Sequence, residues 1–393
     1  MTDFVYDSGV RIFYGAGQIG RIVEEIAKLG RRLLVVPTGS FVANGHYEEL
    51  ERCLTAAGLT IVCLNAGRQP LLSKVNEGAA LCAKEQIEVV LGIGGGVSMD
   101  LAKAIAFRAK HLDVPMEKYL TYELSSEGLE HLPVVTIPTN PMSGSETNAD
   151  VQITLDDTGL QVGCPVGRAV FTWLNPEYLV SLPDKVLAGS QMTAFVQLSI
   201  NYLNLSRSVL AEHYAEGSMK TILECLRRSL ADKNDLDARG TLLLNSALSL
   251  SGINDLGRTP EFVPYPLQSF AQRYLGLDYP KALNGLFPYW LKNIYRASGD
   301  KSIFRRYFKE ILGVLPDGKA DEALLQEALA ALKELYREFG AAFTYGELAA
   351  DPKEREKLLD IIRSFGPMPC QILPMTPEVM ADMIQDAIDG NLN

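Results

Sequence analysis

Thr193 and Gln197 stand four residues apart in "QMTAFVQLSINYL" (191–203), a stretch that reads as the opening of a helix. Residues at i and i+4 share one helix face, the arrangement by which an enzyme presents two ligands to one metal ion. Thr and Gln are not the donors a catalytic cation takes. Earlier in the chain, "VVLGIGGGVSMDLAKAIA" (89–106) puts Gly94, Gly95 and Gly96 directly after an apolar run and directly before a helical one. Glycines there let the backbone approach a diphosphate, and the N–H groups and dipole of the next helix favour negative charge. Ser98 could cap that helix or donate to a phosphate oxygen. Tight strand–helix turns also use glycine; the strand before the cluster and the helix after it are what favour phosphate. A second loop, "IPTNPMSGSETNADV" (137–151), offers hydroxyls and N–H groups suited to a ribose or a nicotinamide, although a capped surface turn would use the same residue types.

The elements that must position these loops follow from the hydrophobic pattern. "RRLLVVP" (31–37), "LTIVCLN" (59–65), "IEVVLGI" (87–93) and "LPVVTIP" (132–138) are short apolar runs that read as buried strands. Helical patterns such as "HYEELERCLTAAG" and "LLSKVNEGAALCAKEQ" separate them. Continuous apolar strands alternating with helices imply an α/β fold with a parallel sheet covered on both faces. Both loops would then lie at carboxyl ends of strands, where open α/β sheets bind ligands. After about residue 180 strand signals nearly vanish and helical periodicity takes over. The expected division is a dinucleotide-binding α/β domain over 1–180 and an all-helical domain over 181–393. "GLFPYWLKNIYRASGDKSIFRRYF" (285–308) is basic and aromatic, and a helix with a solvated face explains it.

At 393 residues the chain suits two domains rather than one core. Hydrophobic content of 47% with 22% charged residues describes a globular protein, and the net charge of −11 argues against nucleic acid or an anionic membrane as partner. No run of about 18 apolar residues is present, and the N-terminus shows no secretory leader pattern. Six scattered cysteines without a CxxC pair fit reduced thiols in a cytoplasmic protein. Cys164 in "VGCPVG" reads as a packing residue.

"GGGVSMDLAKAIA", "PTNPMSGSETN", "LNPEYLVSLPDKVLAG" and the helix from Met192 together resemble the iron-containing, group III alcohol dehydrogenases, in particular their NADP-dependent aldehyde reductase and butanol dehydrogenase branch. The likeness extends from "FVYDSGVRIFYGAGQIG" through "LFPYWLKN" to "TPEVMADMIQDAI". It implies a Rossmann-like N-terminal domain, a helical C-terminal domain, a homodimer, and hydride transfer to a small-molecule carbonyl polarised by a divalent metal. Carried over, Gly94, Gly95, Gly96 and Ser98 contact the pyrophosphate, and Asp100 and Lys103 complete that motif. Thr139, Asn140, Ser143, Gly144 and Ser145 line the ribose and nicotinamide, while Gly39 and Ser40 receive the adenosine ribose. No acid follows the first of the strands read above to repel a 2′-phosphate, and the lysine that binds it in the NADP-dependent relatives falls on Val42 or Ala43. The cofactor is NADP or NAD, with the balance toward NADP.

The metal pattern does not carry over. The family holds its ion with an Asp and a His four residues apart and two further His fourteen apart. Thr193, Gln197, Tyr265 and Tyr279 take those positions with both spacings intact, and Ser269 replaces a neighbouring histidine. The only histidines are His46, His111, His131 and His213. Zinc or ferrous iron takes imidazole or thiolate with carboxylate, and Asp255 and Asp278 read as a loop acid and a turn acid. The expectation is no metal. Losing a Lewis acid removes several kcal/mol of transition-state stabilisation; the buried phenols of Tyr265 and Tyr279 could replace it in part as hydrogen-bond donors and proton sources. Thr193 and Gln197 join them as candidate catalytic residues. Lys281 could bind a carboxylate or act on the Tyr279 phenol, against the ordinary reading of a solvated lysine. Aromatic residues in helices more often pack than react, and it is the pairing at former ligand positions that singles these out. The leading reaction is NAD(P)H-dependent reduction of an activated C=O or C=N. The rival is a homologue that binds NAD(P) or a small ligand without turnover. A dehydroquinate-synthase-type lyase is a weaker third, since those enzymes also need a metal.

Overall fold

Six parallel strands form the spine of one of the two units into which the chain folds. The computed structural model describes residues 2–4, 6–346 and 351–392. The strands run β1 (Arg11–Tyr14), β2 (Arg32–Pro37), β3 (Thr60–Cys63), β4 (Val89–Gly94), β5 (Val134–Pro138) and, after a hairpin of β6 (Asp150–Thr154) and β7 (Gln161–Pro165), β8 (Phe171–Leu174). Their order in the sheet is β1-β8-β5-β4-β2-β3, every neighbour parallel. The four expected strands are present as β2 to β5. β1 and β8 were not foreseen: each is four residues long and lacks the β-branched run that marked the others. The β6–β7 hairpin was also missed.

The helices between them are α1 (Ile19–Ala27), α2 (Gly39–Ala43), α3 (His46–Ala56), α4 (Leu72–Lys84), α5 (Gly96–Arg108) and α6 (Glu117–Leu120). Strand side chains alternate between faces. Leu33, Val35, Val89 and Leu91 pack with Ile22, Ile26 and Leu50 of α1 and α3. Leu34, Val36 and Val90 pack with Val75 of α4 and Ile105 and Phe107 of α5. A strand covered on both faces has no place for polar residues, which is why β2 and β4 read as unbroken apolar runs.

The remaining helices are α7 (Asp184–Tyr202), α8 (Val209–Ala231), α9 (Leu236–Ser249), α10 (Pro264–Leu275), α11 (Tyr279–Ala297), α12 (Ser302–Glu310), α13 (Asp321–Phe339), α14 (Pro352–Ser364) and α15 (Pro377–Asp389). In α13, Leu325, Leu329 and Leu332 make a buried stripe, Asp321 and Glu322 occupy the first turn, and Gly340 at φ +64° ends the helix. The "QMTAFVQ" stretch spans the middle of α7 rather than its opening, because the helix already starts at Asp184. The basic, aromatic segment is two helices; α11 is buried from Ala282 to Leu291 without a break and pairs its buried Lys292 with Asp386 at 2.6 Å. Among the described residues no helix is long and apolar enough to cross a membrane.

The two units divide the chain differently from a single cut at residue 180. The sheet unit comprises Asp7–Asp184 and Glu224–Gly252; the helical unit comprises Met1–Tyr6, Lys185–Leu223 and Ile253–Asn393. The end of α8 and all of α9 thus belong with the sheet. Arg239 of α9, fully buried, donates to Leu179 O, and Gly240 is packed against Tyr14 and Pro176. Thr147 Oγ1 donates to Ala247 O at 2.6 Å.

Candidate active-site residues in the two units

In the sheet unit β4 ends on Gly94, whose φ of +149° is a conformation L side chains rarely adopt. A Cβ there would lie 2.4 Å from Thr38 Cγ2 and 2.8 Å from Ser98 Oγ. At Gly95 an added Cβ meets nothing nearer than 3.7 Å, and at Gly96 it comes 3.1 Å from Ser143 Oγ. Gly95, Gly96 and Val97 remain partly exposed at the start of α5, which no side chain caps. Ser98 does not cap either: it sits inside α5, fully buried, with its hydroxyl unpaired. Asn140 Oδ1 is a second buried, unpaired atom here, and Thr139 N donates to Gly94 O at 2.9 Å, tying the two loops together. An uncapped helix start, a turn without side chains and the unpaired Ser98 hydroxyl, which can donate, fit the diphosphate of a dinucleotide. Gly39 and Ser40 open α2 after β2, with Ser40 Oγ 3.3 Å from Thr38 Oγ1.

Asp100 and Lys103 do something else. Asp100 accepts from Ser145 Oγ at 2.5 Å and from Gln152 N at 3.0 Å, and Lys103 Nζ donates to Asp150 O at 2.6 Å and Asn148 Oδ1 at 3.1 Å. Both are buried, and burial raises the Asp100 carboxyl and lowers the Lys103 amine. They hold the 143–150 loop against α5 in place of contacting a phosphate, and they take the Ser145 hydroxyl with them. Gly144, at φ +62°, is where Leu250 packs closest, 2.4 Å from an added Cβ. Glu146 was not singled out from sequence although it stands in the quoted "GSET". It is buried with Oε1 unpaired, and burial lifts its carboxyl to about 7. Cys164 is buried and pushed up to about 11, an inert packing thiol.

In the helical unit Thr193 is fully buried on α7, and its Oγ1 donates back to Gly189 O at 2.8 Å. One turn on, Gln197 Nε2 donates to Tyr279 Oη at 3.3 Å, while Gln197 Oε1 is buried without a partner. Tyr279 is the first residue of α11, behind the N-cap Asp278, and Tyr265 lies in the first turn of α10 between Pro264 and Pro266. Proline fixes φ at such positions and stiffens the start of each helix. The Tyr265 phenol is held well above 10 by burial first, then by Tyr279, Asp255 and Glu261. Those influences also record that two acids, neither proposed from sequence as part of the cluster, stand near it. Burial raises Asp255 to about 6 against the pull of Arg258.

Lys281 does not join this group. It makes a solvent-exposed pair with Asp278 at 2.8 Å. Ser269 is buried. A threonine hydroxyl committed to its own helix, an amide and neutral phenols do not make a donor set for zinc or ferrous iron. Among the described residues no three of His, Cys, Asp and Glu come together to hold a metal ion.

Residues 9–170 match the family described as iron-containing alcohol dehydrogenase. A probable NADH-dependent butanol dehydrogenase 1 of Bacillus subtilis (strain 168) is 24% identical over 370 residues, 92% of this chain and 93% of the relative. The NADPH-dependent aldehyde reductase YqhD of Escherichia coli (strain K12) is 22% identical over 93% of this chain and 94% of its own length. The crystal structure of NADH-dependent butanol dehydrogenase A from Thermotoga maritima superposes with a TM-score of 0.90 at 25% identity, covering 98% of this chain and 99% of that one.

Proposed function

We propose, from the premise that this chain belongs to the iron-containing alcohol dehydrogenase family, that it is a NAD(P)H-dependent oxidoreductase working without the family's metal on an activated C=O or C=N of a small molecule. The observation that carries this reading is the side-chain-free turn at Gly94–Gly96 before an uncapped helix, with the Ser98 hydroxyl buried and unpaired beside it. The relatives are named for NADH or NADPH and for alcohols or aldehydes, which supports the dehydrogenase or reductase class. The lack of an acid after β2 tilts the choice toward NADP(H). The family homodimer and a cytoplasmic location belong to the same proposal.

A bound reduced nicotinamide supplies the hydride. The chain's own part is to orient the acceptor and stabilise charge on its heteroatom. Tyr279 Oη accepts from Gln197 Nε2 and, as a phenol, carries a proton. The phenol can give that proton to a developing alkoxide or amide nitrogen. Tyr265, kept neutral by burial, donates a hydrogen bond to the same atom, and Thr193 and Gln197 hold the acceptor's place from α7. The test is consumption of NADPH and NADH at 340 nm across aldehydes, ketones, keto acids and cyclic imines, with metal analysis of protein purified without chelator. The expected result is turnover with zinc, iron and nickel well below one per chain. A stoichiometric, tightly held divalent ion overturns the metal-free reading. The replaced donor set favours one second reading, a binding protein without turnover, and binding of NADPH with no consumption across the panel would establish it.

A further inference from the structure

The loop after β5 carries four consecutive polar side chains, Ser145, Glu146, Thr147 and Asn148. Ser145 Oγ donates to Asp100 Oδ1 at 2.5 Å, and Thr147 Oγ1 donates to Ala247 O at 2.6 Å. Asn148 Oδ1 accepts from Lys103 Nζ at 3.1 Å, and its Nδ2 donates to Ser143 O at 3.3 Å. Glu146 is the exception: it is as buried as Ser145 and Thr147, yet its Oε1 meets no donor. The charged groups that face it are Lys103 and Asp100 of α5. The Lys103 amine is already engaged with Asp150 O, with both oxygens of Asn148 and, at 3.9 Å, with Asp100. Asp150 at the start of β6 and Arg168 ahead of β8 act on Lys103 in turn. A buried carboxylate without a donor costs free energy that the neutral acid does not. Burial accordingly lifts the Glu146 carboxyl to about 7, while its own N–H and Lys103 pull it down and Asp100 pushes it up. The same loop borders the glycine turn: an added Cβ at Gly96 would come 3.1 Å from Ser143 Oγ.

We propose that Glu146 is a positioning residue that seats this loop as a neutral acid, so that binding of the dinucleotide is linked to uptake of one proton. The linkage rests on the nucleotide reading above. Glu146 acts through the loop and not by touching the cofactor. Ionised, it puts an unpaired negative charge inside the packing that Ser145, Thr147 and Asn148 hold together. A diphosphate against the neighbouring turn adds further negative charge, which favours the neutral carboxyl. The only bond that changes is an O–H, formed on Glu146 from a solvent proton. The sign follows directly. At low pH the free protein already carries the proton, and affinity does not vary. Above the range where the carboxyl ionises, the proton must be taken up on binding, and affinity falls by up to about tenfold per pH unit.

Calorimetric titration of the full chain with NADH at pH 7.5, in buffers of different ionisation enthalpy, tests it, because the difference in heat counts protons exchanged. Wild type is expected to take up more than about half a proton per NADH, and its Kd to rise about tenfold between pH 6 and pH 8. Glu146→Gln keeps the shape and is neutral at every pH. It should take up no proton, hold its Kd level from pH 6 to pH 8, and bind NADH about tenfold tighter than wild type at pH 8. Glu146→Ala removes the seat and should weaken NADH by the same factor at both pH values. NADPH, whose 2′-phosphate titrates near about 6, is read as the difference between wild type and Glu146→Gln. Binding by wild type without proton uptake, an unchanged pH slope in Glu146→Gln, or weaker binding by that variant at pH 8 overturns the linkage and leaves the nucleotide site standing. Failure of wild type to bind either dinucleotide at pH 6 removes the nucleotide site and the linkage with it.

Discussion

The nucleotide loop and the tyrosine pair are built from different parts of the polypeptide, and this decides how each can change. In the nucleotide site proposed at Gly94–Gly96 the groups on offer are backbone, shaped at Gly94 by a φ of +149° and by the 2.4 Å that an added Cβ would leave to Thr38. At Gly94 almost any side chain destroys the turn itself. In the site proposed at Gln197, Tyr265 and Tyr279 the groups on offer are side chains projecting from helices that persist whatever residue they carry. The donor types can be exchanged while the spacings survive. A site made of backbone is kept or lost with the fold; a site made of side chains can be rewritten in place.

The comparison breaks most readily at Gly94. Gly94→Ala is expected to abolish measurable NAD(P)H binding and to lower stability by about 2–4 kcal/mol from combined overpacking and backbone strain. Nucleotide fluorescence titration and urea unfolding read the two effects. Gly95→Leu sharpens the point, because φ is −83° and an added Cβ has room. It should keep the unfolding midpoint near wild type while weakening NAD(P)H at least a hundredfold. Retained affinity in Gly95→Leu would mean that the diphosphate does not lie against this turn.

That difference also explains what could be read from sequence. The glycine loop was legible because one residue type alone tolerates its geometry, and the covered strands were legible because β2 and β4 admit only apolar side chains. The partner of a helix is not written in its own pattern. "ARGTLLLNSALSLS" announces an apolar stripe on α9 but not that Arg239 and Thr147 fasten it to the sheet unit. Lys103 shows the same limit: the family likeness put it in the phosphate motif, and only the fold shows its amine turned to Asn148 and Asp150. Asp255 acts on the Tyr265 phenol through the fold, whereas Glu261 stands only four residues before it in "EFVPY" and was passed over.

The buried acid of the sheet unit gives a smaller effect. Burial raises the Glu146 carboxyl from an ordinary 4.5 to about 7. The folded chain therefore keeps that proton up to about pH 7 where the unfolded chain loses it near 4.5. The associated stability is fully present at low pH and is lost as pH rises across that window, about 3 kcal/mol in all. Urea unfolding at pH 5 and pH 8 should show Gln at position 146 flattening this slope; parallel slopes in Glu146→Gln and wild type would mean the carboxyl is not desolvated. On the side-chain region, Tyr279→Phe is expected to lower kcat about tenfold on neutral carbonyl substrates with NAD(P)H affinity intact. Unchanged turnover would make that tyrosine a packing residue.

The smallest effect belongs to Lys281, the candidate that the fold sets apart from the cluster. Its pair with Asp278 is solvent-exposed on both sides, and such pairs contribute about 0–1 kcal/mol. Lys281→Ala should change stability by less than about 0.5 kcal/mol and kcat by less than twofold. The Asp278 cap on Lys281 N is a backbone contact and survives the substitution, so α11 keeps its start and Tyr279 its place. A large fall in kcat at unchanged stability would put the amine back beside the Tyr279 phenol.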